Sequence, residues 1–472
     1  MTSVSSRYTA LSDRFAPAFA EVAQGEVPRE AGRHLPFAAF EQLREQGLGA
    51  LSVPETAGGA GASQEDAFRL LMDLAAVDAN TAHLLRSHLS FVQHVLVQPD
   101  RTVRDRWLRR VVEGEVAGSA LSEGRDAPLG GLGTTVTQDE AGQLLISGNK
   151  FYTTGSIFST WALATVRLDP SVSRALRRKV LSRGTGSRRA ASQGPTSLGT
   201  TPAAALGGRG GSQRADVALA VVRVRQPRIT VKDDWDGFGQ RLTGTGTMVF
   251  RGAGVEELLT LPSADGPVPL HHESTLMALL AGIGRAALRD GVEQTRRRRR
   301  SPNTGGGLTP REDDQLLGII GELSAQQATA EELVRAAGRD LDAALELAAG
   351  PEQPVGESGS APGGRVAGVG MDDGGTAAEA MHRAALTAHR AHVMVPKLVL
   401  DTCTRIFDTL GASATSTDLQ LDRHWRNART IASHDPAVFM ARMVGDWEVN
   451  GTQTVPYLQT GVAEEVFSPT HP

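Results

Sequence analysis

The sequence predicts an α+β protein whose helices and strands lie in separate domains. Three observations favour this class: the first 118 residues read as helical, residues 118–254 read as short strands, and a helical block follows from residue 273. Helices, then strands, then helices differ from the βαβ alternation of a parallel sheet. With 472 residues the chain is too long for one core, because a domain typically holds ~150 residues.

The N-terminal helical domain is expected to span residues 1–117. Residues 64–76 place acids in the first turn and apolar side chains at three- and four-residue spacing, which is typical of an amphipathic helix. Residues 81–97 and 101–112 are predicted as two further helices. The glycine-rich segment 53–61 is expected to be a turn, because glycine is unfavourable inside a helix.

A middle domain over residues 118–256 is expected to consist of strands. Short segments rich in β-forming residues and bounded by glycine, aspartate or proline predict four of them, at 143–146, 161–166, 217–224 and 247–250. Residues 170–215 interrupt this pattern with nine Lys or Arg residues and no acid. Such a composition cannot form a core, so we expect a disordered insertion. A basic arm for an anionic partner is the alternative.

The C-terminal domain, residues 270–472, is expected to be helical. Helices are predicted at 273–294, 315–349 and 376–410, where apolar residues recur at helical spacing. Residues 350–375 separate two of these helices and contain nine glycines. We expect them to form a flexible loop.

No metal site and no disulfide is predicted. Cys403 is the only cysteine, which excludes a disulfide scaffold and any multi-cysteine zinc or iron–sulfur site. His382, His389 and His392 lie on one predicted helix at spacings of seven and three residues. Since no carboxylate pattern accompanies them, a solvent-exposed helix face is favoured over a metal site.

Charge and hydropathy exclude two classes of partner. The net charge is −4 and charged residues make up 22% of the chain, so the basic excess typical of nucleic-acid or membrane-surface binding is missing. The N-terminus has neither the apolar core nor the basic flank of a signal peptide. The longest apolar stretch, at residues 276–284, is too short to span a bilayer. We therefore expect a cytoplasmic protein with no nucleic-acid partner and no membrane partner.

Four polar clusters are the candidates for chemistry, because the common nucleotide, protease and hydrolase motifs are absent. They read GSALSEG at 118–124, ISGNKFYTTG at 146–155, DWDGFGQRLTGTGT at 234–247 and HWRNARTIASHDP at 424–436. Small residues and hydroxyls in the first cluster let backbone amides approach a planar polar ligand. Each cluster alone is typical of a turn or a strand end, whereas their order and separation make the set specific.

Together with the turn VPETAGGAG at 53–61, these clusters resemble motifs of the acyl-CoA dehydrogenase superfamily, over most of the chain. The resemblance implies an N-terminal helical domain, a middle β-barrel and a C-terminal four-helix bundle, usually assembled as a homotetramer. The clusters at 234–247 and 424–436 are more similar to the dibenzothiophene-monooxygenase-like branch of that superfamily.

This branch implies a two-component flavin-dependent monooxygenase. Its enzymes take reduced flavin, FMN or FAD, from a partner flavin reductase and use O2 to oxygenate sulfur, nitrogen or carbon in a small-molecule substrate. Dehydrogenases of the superfamily instead carry a catalytic glutamate in a YEGT-like motif, where this chain reads SHDP at 433–436. An acyl-CoA dehydrogenase-type flavin oxidoreductase stays the alternative, because Asp435 lies in that stretch. A flavin-binding protein without chemistry is the third interpretation.

The resemblance also assigns site residues. The catalytic set is His434 as a proton-handling imidazole, a group whose ordinary pKa is ~6.5, Thr154 at the flavin N5 edge, and His88 on the substrate side. The implied cofactor-binding residues are Leu121, Ser122, Tyr152, Thr153, Thr154, Trp235, Thr245 and Arg300. Trp235 is expected beside the ring, and Thr245 and Arg300 near the phosphate. The family's second arginine is missing from the turn 411–414, which leaves both FMN and FAD open.

Overall fold

The computed structural model describes residues 6–124, 127, 131–175, 216–264, 266–300, 307–349 and 376–454. The predicted glycine-rich loop at 350–375 and most of the predicted insertion at 170–215 lie outside the described residues. The described elements run from helices to strands and back to helices, which confirms the predicted α+β class. None of the described helices combines the length and the apolar character that are needed to cross a membrane.

Within the described residues, seven helices precede the first strand. They are α1 (Ser6–Gln24), α2 (Glu26–Gly32), α3 (Phe37–Glu45), α4 (Gln64–Ala75), α5 (Ala79–His83), α6 (Arg86–Leu96) and α7 (Arg101–Val112). The Ser63 hydroxyl caps α4 by accepting from the backbone N–H of Asp66 at 3.1 Å. The single helix predicted over 81–97 is broken between α5 and α6.

Eight described strands form one mixed sheet: β1 (Ala117–Ala120), β2 (Thr135–Gln138), β3 (Leu144–Lys150), β4 (Trp161–Leu168), β5 (Val217–Arg223), β6 (Ile229–Val231), β7 (Met248–Gly254) and β8 (Glu257–Leu259). Their order is β6-β7-β3-β2-β4-β5-β8, and β1 pairs in parallel with β4. Among these strands the edges β6 and β8 do not pair with each other, so the predicted closed barrel is not confirmed. The core of the sheet includes the buried side chains of Val136, Ile146, Ala164, Val222 and Phe250.

The later helices are α8 (Pro267–Arg297), α9 (Asp314–Ala349), α10 (Ala377–Arg405), α11 (Asp422–Ile431) and α12 (Ala437–Asn450). α8, α9 and α10 pack against one another, and α4 packs against both α8 and α9. Glycine permits this close approach, because a Cβ atom at Gly282 would lie 2.5 Å from Ala75 Cβ and one at Gly338 would lie 2.7 Å from Glu65 Cα. Since an N-terminal helix completes this packing, the four-helix bundle predicted for the C-terminal domain alone is not confirmed.

The chain divides into two compact units. Of the described residues, those within 6–26, 51–82 and 263–454 form the helical unit, and those within 27–50 and 83–262 form the sheet unit. α1 and α4 thus belong to the same unit as the C-terminal helices, whereas α6 and α7 belong to the same unit as the strands. The predicted domain boundaries, at residue 117 and at 256–270, stay predictions.

Candidate active site

The ends of two paired strands in the sheet unit bring the predicted Thr153 and Thr154 next to the segment before β7. β3 and β7 are antiparallel with Lys150 opposite Met248, so residues that follow β3 lie beside residues that precede β7. Thr153 donates to the carbonyl of Gly246 from its backbone N–H at 3.2 Å and from its hydroxyl at 3.0 Å. Hydrogen bonding between the two segments therefore continues past the strands.

Three hydroxyl groups form a continuous series in these segments. Thr154 Oγ1 lies 2.9 Å from Thr245 Oγ1, which lies 2.7 Å from Thr243 Oγ1. The Thr243 hydroxyl donates to the backbone carbonyl of Gln240 at 2.9 Å. Thr243 and Thr245 are buried, and Thr154 at the outer end is half-buried. We call Thr154, Thr245 and Thr243 the threonine series.

Tyr152 and Trp235, both predicted to contact the cofactor, lie side by side. Their ring centroids are 6.0 Å apart. Trp235 is anchored by its backbone N–H, which donates to Thr245 O at 3.1 Å, and by its indole N–H, which donates to Gly239 O at 2.9 Å. Tyr152 has a φ of +56°, a left-handed conformation that is uncommon for an aromatic residue, and its side chain is exposed. An exposed aromatic ring thus lies two residues before Thr154.

The loop after β1, with the predicted Leu121 and Ser122, is tied to the same region by Lys150, which was not among the predicted site residues. Lys150 Nζ donates to Leu121 O at 3.2 Å and pairs with Glu123 Oε1 at 2.6 Å, and the Phe151 N–H donates to Ser122 O at 3.1 Å. Burial lowers the pKa of Lys150, and the ion pair with Glu123 opposes that shift. The overlooked signal was a lysine inside the strand motif ISGNKFYTTG.

A groove of about 370 Å³ lies in the same unit. It is lined by Gly124, Asn149, Lys150, Phe151, Asp234, Asp236 and Thr247. Asp234 accepts hydrogen bonds from the backbone N–H and the hydroxyl of Thr247, at 2.7 and 2.9 Å. Because two carboxylates repel a phosphate, this groove does not fit the phosphate of a flavin.

His88, predicted on the substrate side, is fully buried in the sheet unit. Its Nδ1 accepts from the backbone N–H of Ala117 at 3.2 Å, so its Nε2 carries the hydrogen and donates to Gly49 O at 3.0 Å. Burial lowers the pKa of His88 to about 4. A neutral ring with both nitrogens bonded to the backbone has a structural role, and this geometry does not favour proton transfer by His88 at neutral pH.

His434, in the helical unit, lies in the turn 432–436 between α11 and α12. Its Nδ1 is 3.0 Å from Asp435 Oδ2, and 44% of its side chain is exposed. A carboxylate can only accept, so Nδ1 carries a hydrogen and Nε2 is the nitrogen that can exchange a proton with a ligand. The turn therefore presents an imidazole whose tautomer is set by Asp435.

A buried carboxylate that was not predicted contacts the histidines beneath this turn. Glu273 Oε1, on α8, lies 3.0 Å from Nδ1 of His389 and 3.0 Å from Nδ1 of His392. His392 Nε2 donates to the backbone carbonyl of Asp435 at 2.8 Å. We call Glu273, His389 and His392 the Glu273 cluster.

All three side chains of the Glu273 cluster are buried, so the predicted solvent-exposed face is wrong for His389 and His392. Their carboxylate partner comes from another helix, which the spacing of the histidines could not reveal. Its signal was a single acid, Glu273, just before an apolar run of α8. In the part of the chain that the structure describes, no group of three or more His, Cys, Asp or Glu side chains is arranged to hold a metal ion.

Arg300, predicted near the phosphate, is exposed and lies after the end of α8 in the helical unit. The nearby Arg298 donates from Nη1 to the carbonyl of Thr409 at 3.3 Å, just before the turn 411–414. Arg298 therefore contacts the chain two residues before that turn.

The predicted cofactor-binding residues of the sheet unit offer groups of the kind that a flavin ring needs. They are Leu121, Ser122, Tyr152, Thr153, Thr154, Trp235 and Thr245, whereas His434 and Arg300 belong to the helical unit. A flavin ring needs an aromatic or apolar face and polar groups at its edge. The exposed Tyr152 ring and the half-buried Thr154 hydroxyl supply these. The predicted phosphate role of Thr245 stays a prediction; its hydroxyl lies 2.7 Å from that of Thr243 and 2.9 Å from that of Thr154.

Two segments of the chain match family models. Residues 9–115 match the acyl-CoA dehydrogenase N-terminal domain, and residues 369–438 match the acyl-CoA dehydrogenase C-terminal domain. The resemblance to the acyl-CoA dehydrogenase superfamily that the sequence motifs indicated is confirmed.

Individual relatives narrow this class. The chain is 26% identical over 455 residues to a probable FMNH2-dependent monooxygenase, SfnC of Pseudomonas putida. The aligned residues make up 92% of this chain and 94% of the relative. The chain is 25% identical over 435 residues to dibenzothiophene monooxygenase of Mycolicibacterium goodii, which covers 88% of each. The solved structure of methanesulfinate monooxygenase MsuC from Pseudomonas fluorescens matches with a TM-score of 0.73 at 25% identity, over 94% of this chain and 98% of that chain. The prediction of a flavin-dependent monooxygenase that uses reduced flavin and O2 is confirmed.

Proposed function

We propose that this chain is the oxygenase component of a two-component system, which receives FMNH2 from a partner flavin reductase and oxygenates the sulfur atom of a small organic compound. The observation that supports it most is the surface of the sheet unit formed by Tyr152, Thr154 and Trp235. The name of the SfnC relative, an FMNH2-dependent monooxygenase, favours FMN over FAD.

In this proposal Tyr152 and Trp235 would hold the ring of a bound flavin, and the Thr154 hydroxyl would contact its N5 edge. Bound reduced flavin supplies the electrons that activate O2. Lys150 keeps the Leu121 and Ser122 loop beside this surface through its bond to the Leu121 carbonyl. The protein's contribution here is to bind and orient the ring and to exclude water from its edge.

His434 is proposed to hold or move a proton during oxygen transfer. Its Nδ1–H donates to Asp435 Oδ2, and Nε2 is the atom proposed to exchange the proton. A positioned imidazole suits this task because its ordinary pKa is close to neutral pH. His88 has no part in it, since both of its nitrogens bond to the backbone.

Sulfur is proposed as the oxygenated atom because two of the relatives are named for sulfur compounds, dibenzothiophene and methanesulfinate. Nitrogen or carbon oxygenation, which the sequence left open, becomes an outcome of the test.

We also propose a cytoplasmic homotetramer, for which the exposed apolar side chains of Val438, Phe439 and Val449 on α12 offer surface to bury.

The test combines the purified chain with an FMN reductase, NADH, FMN and O2, and supplies dibenzothiophene or methanesulfinate. Incorporation of one oxygen atom from ¹⁸O2 into the sulfur compound, seen by mass spectrometry, is the expected result. The control replaces O2 and reductase with an acyl-CoA and a dye acceptor. Dye reduction there, without oxygenated product, would instead support the acyl-CoA dehydrogenase-type alternative. Light scattering after size exclusion measures the oligomeric state.

A further inference from the structure

The hydrogen bonds of the threonine series have a single possible direction. A hydroxyl carries one hydrogen, and a carbonyl can only accept. Thr243 must therefore donate to the Gln240 carbonyl, at 2.9 Å. With that hydrogen used, the 2.7 Å contact requires Thr245 to donate to Thr243, and the 2.9 Å contact then requires Thr154 to donate to Thr245.

The outer end of the series consequently presents an acceptor. The only hydrogen of the Thr154 hydroxyl points inward to Thr245, so the lone pairs of Thr154 Oγ1 face whatever binds at this half-buried position. Thr243 is 1% exposed and Thr245 is 6% exposed, so water has little access with which to reverse the direction. Through the hydroxyls of Thr243 and Thr245, the backbone carbonyl of Gln240 thereby sets the direction in which the Thr154 hydroxyl donates.

We propose that Thr243 and Thr245 are positioning residues that make this site select the reduced form of flavin, by turning Thr154 into an acceptor for the N5–H group. This rests on the proposed function, in which the N5 edge of the flavin meets Thr154. Reduced flavin carries a hydrogen on N5, whereas oxidised flavin offers only a lone pair there. If the Thr154 hydroxyl points inward, its oxygen can accept a hydrogen bond from N5–H of reduced flavin. With oxidised flavin, the Thr154 oxygen and N5 would be two acceptors that face each other, which is unfavourable.

The experiment measures the dissociation constants of FMNH2, under anaerobic conditions, and of oxidised FMN for the whole chain and its variants. Thr243→Val removes one hydroxyl with little change in volume and leaves Thr154 intact. Thr245 can then donate to Thr154, and Thr154 can point its hydrogen outward. We expect the ratio of Kd for oxidised FMN to Kd for FMNH2 to fall about three- to tenfold, mainly because oxidised FMN binds more tightly.

Two further variants separate hydrogen-bond direction from packing. Thr243→Ser keeps the hydroxyl and should keep the wild-type ratio. Ser159→Ala removes a buried hydroxyl that donates to Gly155 O at 2.8 Å and does not belong to the series, so it should also leave the ratio unchanged. Thr245→Val, which removes the acceptor of Thr154, should lower the ratio as Thr243→Val does.

The outcomes distinguish this inference from the function on which it rests. An unchanged ratio in folded Thr243→Val and Thr245→Val, with wild-type chain that binds FMNH2, overturns the role of the series and leaves the proposed function standing. An equal loss in Thr243→Ser and Thr243→Val assigns the effect to packing and also overturns it. If the wild-type chain binds neither form of the flavin, the proposed function fails and the inference fails with it.

Discussion

The threonine series of the sheet unit and the Glu273 cluster of the helical unit both place polar side chains in the protein interior, yet they differ in charge. The first consists of neutral hydroxyls whose direction is set by the backbone carbonyl of Gln240. The second consists of a carboxylate and two imidazoles, all buried. Hydroxyl groups do not titrate near neutral pH, so the hydrogen bonds of the series keep their direction as the pH changes. Imidazoles do titrate, so the hydrogen bonds and the stability of the cluster depend on its protonation.

His392 illustrates this dependence. Its two ring nitrogens face a carboxylate oxygen of Glu273 and the backbone carbonyl of Asp435, both of which can only accept when the glutamate is ionised. With both nitrogens donating, this arrangement favours the imidazolium form of His392. Burial lowers the pKa of His392, but hydrogen bonds and charges from Glu273 and Asp435 together outweigh it, and the net shift is upward. Burial raises the pKa of Glu273, but its hydrogen bonds to His389 and His392 and the charges of those rings lower it more, so the net shift is downward.

The largest expected effect tests whether the turn held by the Glu273 cluster is where the chemistry occurs. His434→Ala should reduce oxygenated product about 10²- to 10⁴-fold, the usual cost of losing a positioned acid or base. Hydrogen peroxide release should rise relative to product, and FMNH2 binding should stay close to wild type. Product and peroxide are measured in the reductase-coupled assay.

Asp435→Ala is the matched comparison for that variant. A small loss in His434→Ala with a large loss in Asp435→Ala would move the proton-handling role to the carboxylate and favour the dehydrogenase alternative. Equal modest losses with lower melting temperatures would mean that both residues are structural.

The second prediction concerns the stability of the charged cluster. Glu273→Ala removes the common partner of His389 and His392, and leaves a buried imidazolium without its counter-charge. Breaking a buried ion pair in this way costs about 3–5 kcal/mol. Denaturant unfolding should show this loss, and hydrogen exchange should rise in peptides of α10. Glu273→Gln, which keeps an acceptor of the same shape, should cost less; an equal cost in both variants would contradict a role for the charge.

The third prediction is an acid limit for the sheet unit, set by His88. The ring has an ordinary pKa of 6.5 and a folded pKa of about 4, so between these values the unfolded chain binds a proton that the folded chain does not. Stability should therefore fall as pH falls through this range, by about 3 kcal/mol for this group. His88→Gln should lower stability near neutrality but flatten that acid slope. His34→Gln, at an exposed histidine of the same unit, is the control and should leave the slope unchanged.

Sequence alone predicted what local patterns encode. The strand predictions at 161–166 and 217–224 match β4 and β5, because alternating and apolar residues there pair in register. The predicted helix over 81–97 failed because nothing in its apolar pattern marks the break before α6. The packing of α4 against α8 and α9 depends on Gly282 and Gly338, whose partners lie far along the chain.

The residues of the candidate site were likewise predicted only in part. The resemblance carried by the motif ISGNKFYTTG identified Thr153 and Thr154, which lie three and four residues after the end of β3. The Glu273 cluster was missed because Glu273 and His392 are 119 residues apart and meet only when α8 packs against α10. The direction of the threonine series was equally inaccessible, since it follows from distances between hydroxyl groups rather than from residue types.

The smallest expected effect makes the comparison between the two regions direct. Thr243→Val removes one buried hydrogen bond of a neutral series, so it should lower the free energy of unfolding by about 1 kcal/mol, and by the same amount at acid and alkaline pH. Glu273→Gln should behave differently. The raised pKa of His392 means that its stabilising contribution is fully present below its ordinary pKa of 6.5 and is lost as pH rises through the folded pKa.

The lowered pKa of Glu273 acts on the other side, since its contribution is present above its ordinary pKa of 4.5 and is lost as pH falls through the folded pKa. The difference in unfolding free energy between wild type and Glu273→Gln should therefore be largest between pH 4.5 and 6.5 and should shrink as the solution becomes alkaline. Denaturant midpoints of wild type, Thr243→Val and Glu273→Gln, measured from below pH 4.5 to alkaline pH, test both statements. A pH-dependent cost for Thr243→Val would show that its series is coupled to a titrating group, and a constant cost for Glu273→Gln would show that His392 is neutral in the folded chain.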